Sequence, residues 1–84
     1  MRVILDAERM EGRDETFLYL REQFQFPEYF GNSLDALYDC LTELRDTTVV
    51  IENEARAGAW YKKVRRVISD ACRENIYLKV EKRL

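Results

Sequence analysis

Apolar positions change their spacing several times along this chain, and each change marks an element. Val3-Ile4-Leu5 is a short apolar run and reads as a buried strand. Glu11-Gly12-Arg13 reads as a turn, after which Asp14 can cap a helix by accepting a free amide hydrogen of the first turn. Phe17, Leu20 and Phe24 follow at i, i+3 and i+7, one face of an amphipathic helix. Pro27 marks its end, because the residue before a proline avoids helical geometry.

Gly31-Asn32-Ser33 is a second break, with Gly31 expected to make the sharp turn and Ser33 or Asn32 to cap the next helix. Leu34, Leu37, Leu41 and Leu44 then recur at helical spacing, while Asp35, Asp39 and Thr42 fall on the opposite side and Tyr38 on the border. Thr47-Thr48-Val49-Val50-Ile51 is β-branched and apolar, a buried strand. Residues 55–73 form a third helical pattern, with Trp60, Val64, Val67, Ile68 and Ala71 on one face and Lys62, Lys63, Arg65, Arg66 and Arg73 on the other. Asp70 is read as the i,i+4 ion-pair partner of Arg66, the alternative being an acidic contact with a partner. Finally Ile76, Leu78 and Val80 alternate with Tyr77, Lys79 and Glu81, the period of a half-buried strand. Long helical segments between strands are the connections that parallel strands require. The pattern predicts an α/β fold with a small three-stranded parallel sheet packed against helices.

The chain has 84 residues, which predicts one domain over 1–84 with a modest core. Hydrophobic residues make up 46%, enough for a globular fold. No apolar run is long enough to span a bilayer, and Asp6 interrupts the N-terminus where an export signal needs a continuing apolar core, so the expected location is the cytoplasm, without membrane association. Cys40 and Cys72 are then expected as reduced thiols. There is no histidine, and Asp35 and Asp39 have no further ligands at a convincing spacing. The chain is therefore expected not to be an enzyme, to have no catalytic residues, and to hold neither metal nor cofactor.

Charge changes the picture most. Residues 1–54 carry 13 acids and 5 bases, a net of −8, whereas residues 55–84 carry 3 acids and 9 bases, a net of +6. Between Phe26 and Leu44 stand Glu28, Asp35, Asp39 and Glu43 with no base, a segment suited to a basic partner. Asp35 is favoured by the helix dipole, but Asp39 lies mid-helix and repels it at i,i+4. Tyr29 is expected to face outward beside this pair and Phe30 inward. The basic face of residues 62–73 has no interleaved aromatics and reads as a solvated helix face, so no nucleic-acid binding is expected.

The run Phe26-Pro27-Glu28-Tyr29-Phe30-Gly31-Asn32-Ser33-Leu34-Asp35-Ala36-Leu37-Tyr38-Asp39-Cys40-Leu41-Thr42 closely resembles the binding segment of the barstar family. It departs from that family at Tyr38, usually Trp, and at Ser33, where Asn is common, and Leu44 stands in place of an aromatic. The resemblance implies an intracellular protein inhibitor, monomeric when free, that blocks a secreted ribonuclease of barnase type. It implies partner contacts through Tyr29, Gly31, Leu34, Asp35, Ala36, Tyr38, Asp39 and Thr42, with Asp39 central. Carboxylates on such a helix can replace RNA phosphates among arginines, which pair with both in the same forked geometry. The alternative within the same fold is an immunity or adaptor protein for a different basic toxin or partner.

Overall fold

A computed structural model describes residues 1–83. Its elements are β1 (Arg2–Asp6), α1 (Arg13–Phe24), α2 (Leu34–Thr42), β2 (Thr47–Glu52), α3 (Tyr61–Glu74) and β3 (Leu78–Lys82), with single tight helical turns at Ala7–Arg9 and Glu54–Arg56. The three strands form one parallel sheet in the order β1-β2-β3, with Val3 opposite Val49 and Val49 opposite Val80. The α/β fold expected from the pattern is present. No helix among the described residues is long and apolar enough to cross a membrane.

Strand order equals chain order, so both crossovers step in the same direction. The right-handed rule then puts their helices on one face of the sheet. Val3, Leu5, Val49, Ile51 and Leu78 point into a core shared with Phe17, Leu20, Phe24, Leu37, Leu41, Val64 and Ile68. The opposite face is solvated. Ile4 is 42% exposed there, so Val3-Ile4-Leu5 is an alternating edge strand and not a fully buried one. Val50, on the central strand, is nevertheless buried, flanked in register by Ile4 and Glu81.

Three boundaries differ from the sequence reading, each for an identifiable reason. The cap of α1 is Gly12, whose N–H donates to Glu15 Oε1 at 2.7 Å, and Asp14 lies inside the first turn. The third helix starts at Tyr61, not 55. Gly58 N–H donates to the Ala7 carbonyl and Trp60 N–H to the Met10 carbonyl, both at 2.9 Å, which holds residues 58–60 against the end of β1 instead of in a helix. The approach is close: a Cβ on Gly58 would lie 2.3 Å from the Met10 carbonyl oxygen. Trp60 ends up half-buried, its ring edge-on to Phe17 at 5.7 Å. The last strand starts at Leu78, leaving Ile76 78% exposed.

Asn75 causes that last shift. It is 4% exposed and sits between α3 and β3. Its Nδ2 donates to the Leu41 carbonyl (3.0 Å) and the Leu44 carbonyl (2.7 Å), and its Oδ1 accepts from Tyr77 N–H (3.0 Å). Carbonyls at a helix C-terminus have no partner within the helix. Asn75 supplies one to the end of α2 and closes a turn in its own segment.

At the other end of α3, the buried Tyr61 hydroxyl donates to the Glu54 carboxylate, which also meets Lys82 Nζ at 3.0 Å. Burial first, and then the bond to Glu54, raises Tyr61 well above the ordinary tyrosine range. The same bond, followed by Lys82, holds Glu54 below the usual carboxylate range.

Two outcomes follow. Asn75→Ala removes both bonds from the buried amide to the Leu41 and Leu44 carbonyls and should destabilise the fold by about 1–3 kcal/mol in urea melts. Asn75→Asp should cost at least as much, since a carboxylate turns negative charge toward the same oxygens. Tyr61 keeps its proton more tightly folded than unfolded, so its contribution is full below the ordinary tyrosine pKa of about 10 and is lost as pH rises above it. Unfolding free energies measured between neutral pH and pH 11 should fall at the alkaline end, less steeply in Tyr61→Phe.

Candidate functional site

The acidic segment is built on an aromatic bed. Phe24 and Phe26 stack at 5.0 Å with rings 4° from parallel, Phe26 meets Phe30 at 4.9 Å, and Phe30 meets Phe17 edge-on at 6.3 Å. Such pairs add to plain area burial. They fix the loop from Phe26 to Ser33 from beneath, while Phe30 N–H closes a turn onto the Pro27 carbonyl at 2.9 Å. The Arg13 guanidinium donates to the Asn32 carbonyl at 3.0 Å and ties the loop to the start of α1. With Phe30 held inward at 5% exposure, Tyr29 is thrown outward at 87%.

The entry into α2 differs in one respect from the expected one. Ser33 is the cap, its Oγ accepting from Ala36 N–H at 3.0 Å. The sharp turn falls on Asn32 at φ 47°, and no glycine in the chain has a positive φ. Asparagine is among the few residues that tolerate the left-handed region. Gly31 instead contributes an exposed stretch of bare backbone.

Along α2, Leu37 and Leu41 are fully buried, and Leu34 and Leu44 are half-buried against the same core. Asp35 and Asp39 are exposed on the opposite side, and Tyr38 lies half-buried between the two faces. Ala36 and Thr42 are half-buried, with Thr42 Oγ1 donating to the Asp39 backbone carbonyl at 2.8 Å. Four residues apart on a helix, the two aspartates lie about 5–6 Å from each other at Cβ. Neither has an ion-pair partner among the described residues. The acidity of the face also acts on Cys40 at its flank: burial, then Glu43, then Asp39 push that thiol up. Cys72 on α3 is likewise raised, by burial against an opposing pull from Arg65. Both cysteines are free thiols. Of the expected contacts, Asp35, Asp39, Tyr38, Leu34, Ala36 and Thr42 share one short helix, and Tyr29 and Gly31 share the loop that leads into it.

Asp70 does not pair with Arg66. Its carboxylate is taken by Arg73 at i,i+3, which leaves Arg66 without an ion-pair partner among the described residues. Arg66 lines a groove of about 360 Å³ between α2 and α3 with Leu34, Lys62, Lys63, Val67 and Asp70. The periodicity of α3 carries a hint of this: positions 62, 63, 66 and 70 share one helix face, with Val67 at its border. What α3 lies against is a tertiary fact that one helix does not contain. A larger concavity of about 710 Å³ lies beyond the end of β2, between Glu52 and Arg56 and beside Arg83. Its carboxylates are already engaged, Glu52 by Arg83 and Glu54 by Tyr61 and Lys82. Among the described residues no cluster of side chains could hold a metal ion.

An exposed, unpaired acidic helix on an aromatic and leucine support has the chemistry of a surface that receives cations from another molecule. Comparison with known proteins places the chain in a family. The family model described as "Barstar (barnase inhibitor)" matches residues 1–80. The "Putative ribonuclease inhibitor YrdF" of Bacillus subtilis (strain 168) is 33% identical, over 87% of this chain and 87% of its own length. The match extends through β1, all three helices and into β3, well beyond the 26–42 segment. This chain belongs to the barstar family.

Proposed function

We propose that this protein inhibits a ribonuclease of barnase type by seating α2 and the loop before it in the enzyme's active site. One observation supports this above the others: Asp35 and Asp39 stand exposed on a helix anchored on its far side by Leu37 and Leu41, with no ion-pair partner among the described residues. Like charges at i,i+4 oppose helix formation by about 0.2–0.5 kcal/mol, and Asp39 also lies toward the negative end of the helix dipole. The free protein gains nothing from this arrangement, whereas a partner rich in arginine does.

In this reading Asp39 takes the place of a phosphate among the enzyme's basic groups, with Asp35 beside it. Forked guanidinium–carboxylate bonds provide geometry as well as attraction. Tyr29 and Tyr38 contribute broad aromatic contact on either side, at little conformational cost because each has only two side-chain torsions. Gly31 admits the enzyme close to the backbone, and Leu34, Ala36 and Thr42 complete the edge. The protein acts by occlusion and is not itself an enzyme. It works in the cytoplasm, one inhibitor to one enzyme, and the inhibitor is a monomer of one domain when free. The relative in Bacillus subtilis bears a ribonuclease-inhibitor name, which is in keeping with this reading.

Titrating purified barnase-type ribonucleases, with RNA cleavage as the readout, should bring the activity of at least one to zero at one equivalent. Full activity at large excess against every enzyme tried rules the proposal out. Two variants separate binding from folding. Asp39→Ala should melt in urea as wild type does, or be more stable by a few tenths of a kcal/mol, and should lose inhibition. Leu37→Ala should be destabilised by about 2–4 kcal/mol yet inhibit normally wherever it is still folded.

The acidic face should also steer the encounter. Stopped-flow association rates should fall steeply between low and high salt, since screening shortens the reach of exposed charges. A rate independent of salt means that the acidic face is turned away from the enzyme.

A further inference from the structure

The groove between α2 and α3 begins where the proposed contact surface ends. Leu34, the first residue of α2, forms one wall, and Val67 on α3 adds a half-buried apolar surface. Above them stand Lys62, Lys63 and Arg66, all exposed and none in an ion pair with this chain's described carboxylates. Lys63 Nζ lies 5.2 Å from the centre of the Trp60 ring, a cation–π contact that restrains it. Asp70, the one acid of the lining, is engaged by Arg73. A strip of uncompensated positive charge therefore adjoins the uncompensated negative charge of Asp35 and Asp39.

From this juxtaposition we infer that the groove receives an acidic side chain of the ribonuclease, carried on a segment that flanks the enzyme's cationic active site. The inference rests on the proposed function and adds a second, oppositely charged half to the interface. An enzyme seated on Asp35 and Asp39 covers the mouth of a groove that shares Leu34 with them. Covering three cations with neutral or basic protein strips their water and returns nothing, a large penalty for charged groups. A carboxylate placed between Lys63 and Arg66 returns it, and the apolar floor takes the methylenes that carry that carboxylate. The two halves together set register: the enzyme must present cations to α2 and an acid to α3 at the same time. A ribonuclease that is basic on both sides is rejected by like-charge contact at Lys62, Lys63 and Arg66. The groove is thus a specificity element, distinct from the face that supplies the main attraction.

The test is charge reversal, measured against an enzyme that the wild-type protein inhibits. If only the overall field mattered, Lys63→Glu with Arg66→Glu would make the inhibitor more acidic and strengthen its grip on a basic enzyme. The groove inference requires the opposite sign. The double variant should bind at least about tenfold more weakly, the neutral pair Lys63→Ala with Arg66→Ala should fall between it and wild type, and urea melts of all three should agree. Equal or tighter inhibition by the reversed variant overturns the groove and leaves the proposed function standing. Wild-type protein that inhibits no ribonuclease in the panel overturns both. Should the reversed variant melt early, the neutral pair decides: unchanged affinity there overturns the groove, and weaker binding supports it.

Discussion

A buried amide, that of Asn75, holds the acidic helix to the rest of the molecule. Helix α2 has nine residues, too few to be stable in water on its own. Its N-terminal end is capped by its own Ser33, but its C-terminal carbonyls reach across to Asn75, 31 and 34 residues further along the chain. An amide is suited to this task because it offers two donors to the helix end and an acceptor to the turn that carries it. The leucines hold α2 down, and Asn75 sets where along the core it stops. The positions of Asp35 and Asp39 depend on both.

The second constraint is electrostatic. Helices α2 and α3 are packed neighbours of opposite charge, and in a protein built for stability alone their side chains would be expected to pair. They do not: among the described residues no ion pair joins the two helices, and the groove between them is lined by Leu34 and Val67. Exposed ion pairs contribute little to stability in any case, so leaving these charges unpaired costs the fold little. It leaves a surface divided into a negative and a positive field, and such a surface discriminates between partners more sharply than a uniform one.

Much of this was legible in the sequence, for physical reasons. Period-2 and period-3.6 patterns survive because each element buries one face in a single core, so Phe17, Leu20, Phe24, Leu37 and Leu41 declare themselves. The outward Asp35 and Asp39 follow from the same geometry read in reverse, and the outward Tyr29 from a hydroxyl that is easier to satisfy at a wet rim. What could not be read depends on contacts between distant segments. Residues 58–60 have helical spacing but are claimed by the carbonyls of Ala7 and Met10. Ile76 continues an alternating pattern but is pulled into a turn by Asn75. Asp70 had a suitable partner at Arg66 and took the one at Arg73. In each case a local rule gave a permitted answer and the tertiary structure chose another.

The order in which this chain leaves the ribosome gives the Asn75 contact a further meaning. The acidic helix emerges early, flanked by its aromatic loop, but β2 and β3 and the amide that ties it down are all made later. A nascent chain that ends before residue 75 has the carboxylates without the clamp, and a nine-residue helix without its clamp is a fluctuating segment. Its charges are then spread over many conformations, and the ordering that the finished fold completes in advance would have to be supplied by whatever it met. The face becomes a defined surface only once residue 75 can reach it, so the order of synthesis sets when the carboxylates acquire fixed positions.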